Sequence, residues 1–403
     1  MDFGFSEKEE NFRREVREFA EKEIPQRWYE LAGICPAWAT MVEDSDEKWD
    51  MIWQFRRKLA QRGWLALSFP KEYGGGGLGP IYKYILTEEL CLLGAPNTGL
   101  EDQVNIDMVG PTILRFGTEE QKKKYRGAIA RGEMQFCLLY TEPEAGSDLA
   151  AVQTKAEEKD DCYIVNGQKI FSSGAHRSHY GFLLARTDPD APKHKGISYF
   201  MLDMKSPGIT VLPLINIGNI HHFNQTYFDN VKIPKENLLG EKNKGFYYMI
   251  EALAYERGMY WMPGQLKRGL NLFLKYAKES DYGKTLLEAP MNQQVIAKLA
   301  IDIEVCRLLA LQVISTLEKG KAPVSESPVL FLFGSQLSRD MANMLTELSG
   351  LYGQLCRDSK WAFMDGYPAL NYLESVSAGV GAGSQEIERN TIATIGLGLP
   401  RAY

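Results

Sequence analysis

The hydrophobic period changes twice along this chain, and that change limits the folds open to it more than any single motif. Apolar residues recur at helical spacing through the first third. They alternate in short runs through the middle, then return to helical spacing from Gly245 onward. A period near 3.6 marks helices that bury one stripe, and a period of two marks strands that bury one face. Helix and strand never alternate, which argues against a doubly wound parallel sheet of the nucleotide-binding kind. The order implies an α+β fold, mostly α. It divides into a helical domain over 1–133, a β-domain built as a sandwich or barrel over 134–240, and a second helical domain over 241–403.

Local signals sharpen this outline. Ser6 and Glu9 form a capping box ahead of Phe12, Val16, Phe19 and Ala20, and Pro25 stops the pattern. Thr118 and Gln121 mark a second helix start. Four consecutive glycines, Gly74–Gly77, read as a turn, because no strand precedes them and no GK[ST] follows. In the middle region Asn166-Gly167 reads as a hairpin turn, and "YGFLLAR", "GISYFMLD", "GITVLPLI" and "NQTYFDNVKI" read as strands. Beyond Gly245 four long helical runs follow, with Pro263 kinking or dividing the first two. The glycines of "GVGAGSQEIERN" (379–390) cannot open a nucleotide-binding fold, because too little chain follows them.

Composition narrows the function class. The net charge of −6 over 403 residues, with acids and bases interspersed, argues against nucleic acid as a partner. No apolar run is long enough to span a bilayer, and the N-terminus reads as neither signal nor transit peptide. The six cysteines are scattered without a CxxC pair, as expected of reduced thiols in a cytoplasmic protein. His176 and His179 lack a third ligand at metal spacing, so no metal site is expected.

Three stretches could carry chemistry. The polar groups of "YTEPEAGSDLA" (140–150) suit an anionic or carbonyl-rich ligand, or equally a capped turn. In "KIFSSGAH" (169–176), Phe171 could stack on a ring while Ser172 and Ser173 donate to its edge. On a helix, Glu256 shares a face with Met249, Ala252, Met259 and Tyr260. A carboxylate among apolar residues serves as a general base, and a surface glutamate paired with arginine is the alternative.

Taken in order, "TEPEAGSD", "GQKIFSSGAH", "HFNQTYFDNVKIPKENLLGEKNKGF", "ERG" and "SQEIERNTIA" resemble the acyl-CoA dehydrogenase family across nearly the whole chain. The resemblance implies a C-terminal four-helix bundle and FAD between it and the β-domain. It implies dehydrogenation of an acyl-CoA to a 2-enoyl-CoA, with electron-transferring flavoprotein as the electron acceptor. It further implies that Thr141, with backbone groups of Leu138 and Tyr140, meets the pyrimidine edge of the flavin. Phe171 would pack on the flavin face and Ser173 would bond its N5–O4 edge. Ser147 would lie near the pyrophosphate and pantetheine, and Arg257 near the CoA. Ser384 and Glu386 would start a helix beside a neighbouring subunit's flavin.

In this family the catalytic glutamate stands at one of two places. The late-loop position aligns with Ala382, which cannot accept a proton, so the resemblance points to Glu256 on the first C-terminal helix. That placement accompanies branched, long or bulky acyl groups. Two departures stand out. Glu279 occupies the place of an arginine that reaches a neighbour's FAD, and "ELSGLYG" (347–353) replaces a "QILGGxG" segment. Either the local backbone differs, or a partner chain completes the site. The assembly implied is a homotetramer or an α2β2 heterotetramer. A flavin monooxygenase or oxidase on the same scaffold, and a non-catalytic subunit, remain the alternatives.

Overall fold

In the computed structural model the described residues are 4–32, 45–96, 103–256, 258–357, 359–381 and 383–400. They form two compact units. One comprises Met1–Thr40, Gly79–Thr98 and Arg257–Tyr403; the other comprises Met41–Leu78 and Gly99–Glu256.

The first unit is helical. Helix α1 (Glu7–Glu23) begins at the Ser6–Glu9 capping box and buries Phe12, Val16, Phe19 and Ala20. After Pro25, α2 (Gln26–Ala32) follows. Helix α4 (Pro80–Leu93) packs on α1, and Arg13 bridges both Glu88 and Glu89 of α4 at 2.6 Å. The bundle proper contains α7 (Met262–Glu279), α8 (Asp281–Glu288), α9 (Pro290–Glu318) and α10 (Glu326–Leu348). It is completed by α11 (Tyr367–Ser375) and α12 (Gln385–Thr391). Pro263 sits in the first turn of α7, where its missing N–H costs nothing, so it divides two helices as the sequence implies. Helix α9 buries a single stripe, Leu299, Ile303, Cys306, Ala310, Val313 and Ile314, yet its other faces are also rich in apolar residues.

The second unit carries α3 (Asp46–Gln61), α5 (Gly110–Phe116), α6 (Gly245–Glu256) and a curled sheet. Its seven strands are β1 (Phe136–Leu139), β2 (Lys155–Glu158), β3 (Cys162–Lys169), β4 (Tyr180–Arg186), β5 (Ile197–Asp203), β6 (Ile209–Leu214) and β7 (Phe223–Pro234). Strand β4 runs parallel to β1 and antiparallel to β5, and β7 lies antiparallel between β3 and β6. One bridge, Lys155–Arg186, joins β2 to β4. The core beneath is built from Leu139, Val165, Leu183, Phe200, Val231 and Ile233. Of the glycine run, a Cβ on Gly75 would stand 2.2 Å from the Phe69 carbonyl oxygen, so this turn serves close packing.

The hairpin expected at Asn166-Gly167 is corrected. Both residues lie inside β3, at an irregularity in its pairing with β7. Gly167 has φ 146°, and a Cβ there would meet Thr154 Oγ1 at 2.6 Å. The Asn166 side chain accepts from the Asn230 N–H at 2.8 Å across the bulge. A positive-φ glycine serves a bulge as well as a turn. The actual β2–β3 turn is closed by Lys159 N–H donating to the Cys162 carbonyl at 2.8 Å.

Candidate cofactor site

The site begins where β1 leaves the sheet. Asn105 Oδ1 accepts from Phe136 N–H at 2.8 Å and fixes the start of the strand. Leu138 is half-buried, Tyr140 is buried and Thr141 half-buried. The chain then turns back through Pro143, with Glu142 and Ala145 exchanging backbone hydrogen bonds of 3.2 and 3.0 Å.

Glu142 is the anchor of this turn. Its carboxylate accepts from the N–H groups of Gln153 at 2.6 Å and Thr154 at 3.0 Å. It also meets the Lys169 ammonium at 2.8 Å, and the same ammonium donates to the Tyr140 carbonyl at 2.9 Å. Burial opposes the charge on Glu142, but Lys169 and the two backbone donors outweigh it and hold its carboxyl below the usual range. Burial pushes Lys169 down to about 8, an effect Glu142 only partly offsets.

At the end of β3 the backbone meets this turn, for Ile170 N–H donates to the Thr141 carbonyl at 2.8 Å. The next residue, Phe171, has φ 56° and is 54% exposed. A left-handed conformation in an aromatic residue costs about 1–3 kcal/mol and persists only where its surroundings impose it. Phe223 packs edge-on to the ring at 5.7 Å. Ser172 is buried and Ser173 half-buried.

The structure therefore brings Leu138, Tyr140, Thr141, Phe171 and Ser173 to one edge of the sheet unit. Ser147 follows the turn and is exposed, beside Gly146, whose Cα faces open space. Glu256 is the last residue of α6. Arg257 and Ala382 lie outside the described residues. In the helical unit Ser384 N-caps α12 by accepting from Ile387 N–H at 3.3 Å, and Glu386 is exposed in its first turn. Glu279 is exposed at the end of α7, and Ser280 caps α8 directly after it.

Sequence reasoning missed three groups behind this edge. Lys169 occupies an inward position of β3, which the strand alternation could have flagged. His221 and His222, which look dispersed from His176 along the chain, join it in space. The rings of His176 and His221 stack at 4.0 Å. Burial, then the neighbouring His176 and His221, pushes His222 down to about 4. Third, Asn224 lies fully buried among them. No group of His, Cys, Asp or Glu able to hold a metal ion occurs among the described residues. His179 Nδ1 accepts from Gln135 N–H at 3.2 Å.

This edge fits a flat heteroaromatic ring with polar margins. The side-chain hydroxyls of Thr141 and Ser173 form no hydrogen bond among the described residues, and Phe171, two residues before Ser173, presents its ring to solvent. Bare hydroxyls beside an exposed aromatic ring offer hydrogen bonds in the plane of a ligand and a contact on its face.

The chain matches known proteins along its whole length. The models of the acyl-CoA dehydrogenase N-terminal, middle and C-terminal domains match residues 6–133, 137–231 and 243–397. The acyl-CoA dehydrogenase FadE29 of Mycobacterium tuberculosis is 34% identical over 86% of this chain and 88% of its own. The solved Tcur3481-Tcur3483 steroid ACAD is 29% identical over the full length of both chains, with a TM-score of 0.88. The ChsE4-ChsE5 complex from Mycobacterium tuberculosis is also 29% identical over both full lengths, with a TM-score of 0.86. With an exposed ring and two bare hydroxyls on one sheet edge, and all three domain models matched in order, this chain belongs to the acyl-CoA dehydrogenase family.

Proposed function

We propose that the chain is an FAD-dependent dehydrogenase that converts a bulky acyl-CoA thioester to its 2-enoyl-CoA. The observation that carries this reading is the hydrogen bond from Ile170 N–H to the Thr141 carbonyl, which sets Thr141, Phe171 and Ser173 on a common edge. FAD supplies the oxidation when bound, by taking up the hydride that leaves the β-carbon. Thr141 and Ser173 would hold the polar margins of the flavin ring, at its pyrimidine and N5–O4 edges, and Phe171 would cover one face. Leu138 and Tyr140 contribute backbone contacts. Ser147 serves the flavin pyrophosphate and the pantetheine arm of the substrate, and Arg257 serves the CoA. Glu256 accepts the α-proton as the α,β double bond forms, a role worth ~10²–10⁴-fold in rate.

The substrate class is inferred from two supports. The base stands on a helix rather than in the late loop, and one related structure is described as a steroid ACAD. We therefore assign a branched, cyclic or steroid-derived acyl group. The partner chain has its own support. Helix α9 leaves Met291 70% and Ile301 63% exposed, and the link between α11 and α12 leaves Val376 and Val380 exposed. Apolar residues in this number mark a surface that another chain covers. Two of the related structures are named as pairs of proteins, so a site-sharing heteromer is the favoured assembly. Electron-transferring flavoprotein is the proposed acceptor of the electrons.

Anaerobic titration of the purified protein with a panel of acyl-CoAs tests the whole reading. Flavin bleaching with bulky thioesters, with enoyl-CoA as product, is expected. Steady oxygen consumption without enoyl-CoA would favour an oxidase or monooxygenase. Colourless protein that turns yellow only with a homologous partner would make it a site-sharing subunit.

A further inference from the structure

Strand β7 changes character along its inward face. Phe228, Val231 and Ile233 are apolar and join the core, whereas Asn224 and Thr226, at a period of two before Phe228, are buried and polar, and half-buried His222 stands just ahead of the strand. Polar groups on an enclosed sheet face are unfavourable unless they are bonded, so this stretch calls for a reason. Ser172 Oγ, Thr226 Oγ1 and His222 Nδ1 are buried with no hydrogen-bond partner among the described residues. Asn224 is the member of the face whose bonds are complete.

Those bonds converge on one residue. The Asn224 carbonyl accepts from Ser172 N–H at 3.0 Å, and its side-chain Nδ2 donates to the Ser172 carbonyl at 3.0 Å. Asn224, fully buried, thereby bonds both backbone groups of Ser172, whose carbonyl also accepts from Ala175 N–H at 3.3 Å. The amide is itself oriented, since Nδ2 also donates to His176 Nδ1 at 3.1 Å and Oδ1 accepts from His221 Nε2 at 2.9 Å. Ser172 stands between Phe171, at φ 56°, and Ser173.

We infer that Asn224 is a positioning residue for the cofactor edge, acting through Ser172 to hold Phe171 in its left-handed conformation and Ser173 beside it. The inference rests on the proposed flavin site. It requires an amide, because a carboxylate at 224 would face the Ser172 carbonyl with an acceptor, and an alanine would remove the side-chain donor to that carbonyl and to His176 Nδ1.

The test compares wild type with Asn224→Ala and Asn224→Asp as full-length protein. Deflavinated samples are titrated with FAD, and the visible absorption and circular dichroism of the bound flavin are recorded. Both variants are expected to keep the far-ultraviolet spectrum of wild type and to bind FAD at least tenfold more weakly. The flavin band should shift, and kcat should fall by a larger factor than KM for the acyl-CoA changes. Yellow, folded variants with wild-type affinity and an unshifted band would overturn the inference while leaving the dehydrogenase reading intact. A wild type that stays colourless even with a homologous partner would overturn that reading instead. Two measurements cover the case in which both variants misfold. His221→Phe removes the bond to Oδ1 while keeping a ring to stack on His176, and should give a smaller loss in the same direction. Hydrogen exchange of wild type should show the Ser172 amide as protected as the core of β7; rapid exchange there would overturn the clamp.

Discussion

The Lys169 ammonium lies 2.8 Å from the Glu142 carboxylate, with the lysine side chain fully buried and the glutamate nearly so. The pair ties the end of β3 to the turn after β1, and so holds together the two segments that supply Thr141, Phe171 and Ser173. Removing one partner of a buried pair leaves an uncompensated charge, at a cost of about 3–5 kcal/mol. Lys169→Met should lose that much stability in urea unfolding at neutral pH. Glu142→Gln should be milder, because an ammonium already pushed down to about 8 by burial gives up its proton readily. Equal losses from the two variants would contradict this account.

Glu256→Gln should retain flavin and its spectrum but lose reductive half-reaction rate by ~10²–10⁴-fold, the range expected for a missing general base. Stopped-flow mixing with acyl-CoA under anaerobic conditions measures it directly. Near-normal bleaching in the variant would move the base elsewhere.

The left-handed φ of Phe171 separates two effects that one substitution would confuse. Phe171→Gly removes the ring and the strain; Phe171→Ala removes the ring and keeps the strain. The glycine variant should therefore be the more stable of the two by about 1 kcal/mol, and both should bind FAD more weakly than wild type. Thermal unfolding of the deflavinated proteins and FAD titration check the two halves.

His222 should make stability depend on pH in mild acid. The fold holds its pKa at about 4, against 6.5 when unfolded, so the unfolded chain takes up a proton first as pH falls. Stability is lost from about pH 6.5 downward and levels near pH 4. Glu142, whose pKa is lowered, contributes a separate loss only as pH falls below 4.5. Burial also lowers the pKa of His179, so unfolding midpoints of His222→Gln should show a shallower first slope and keep the second.

Much of the fold was legible in the residues. The Ser6–Glu9 and Thr118–Gln121 boxes start helices as expected, because capping is decided within four residues. The runs 180–186 and 197–203 are strands as read, since long apolar stretches bounded by turn residues have few other uses. Strands β1 and β2, only four residues each, were not: so short a run shows no period, and its partners decide it. Asn166-Gly167 misled for a related reason. The dipeptide supplies a positive φ, and only the pairing with β7 shows whether that bends a turn or a bulge.

The sequence by itself determined the class of fold and the residue types of the site, through periodicity and ordered motifs that are local along the chain. Only the tertiary structure decided how those residues stand together. It joined Ile170 to Thr141, enclosed Lys169 with Glu142, and gathered His176, His221 and Asn224 behind Phe171. Hydrogen bonds and burial depend on distances between segments far apart in sequence. A polar residue in a strand reads as exposed until the fold shows what it faces.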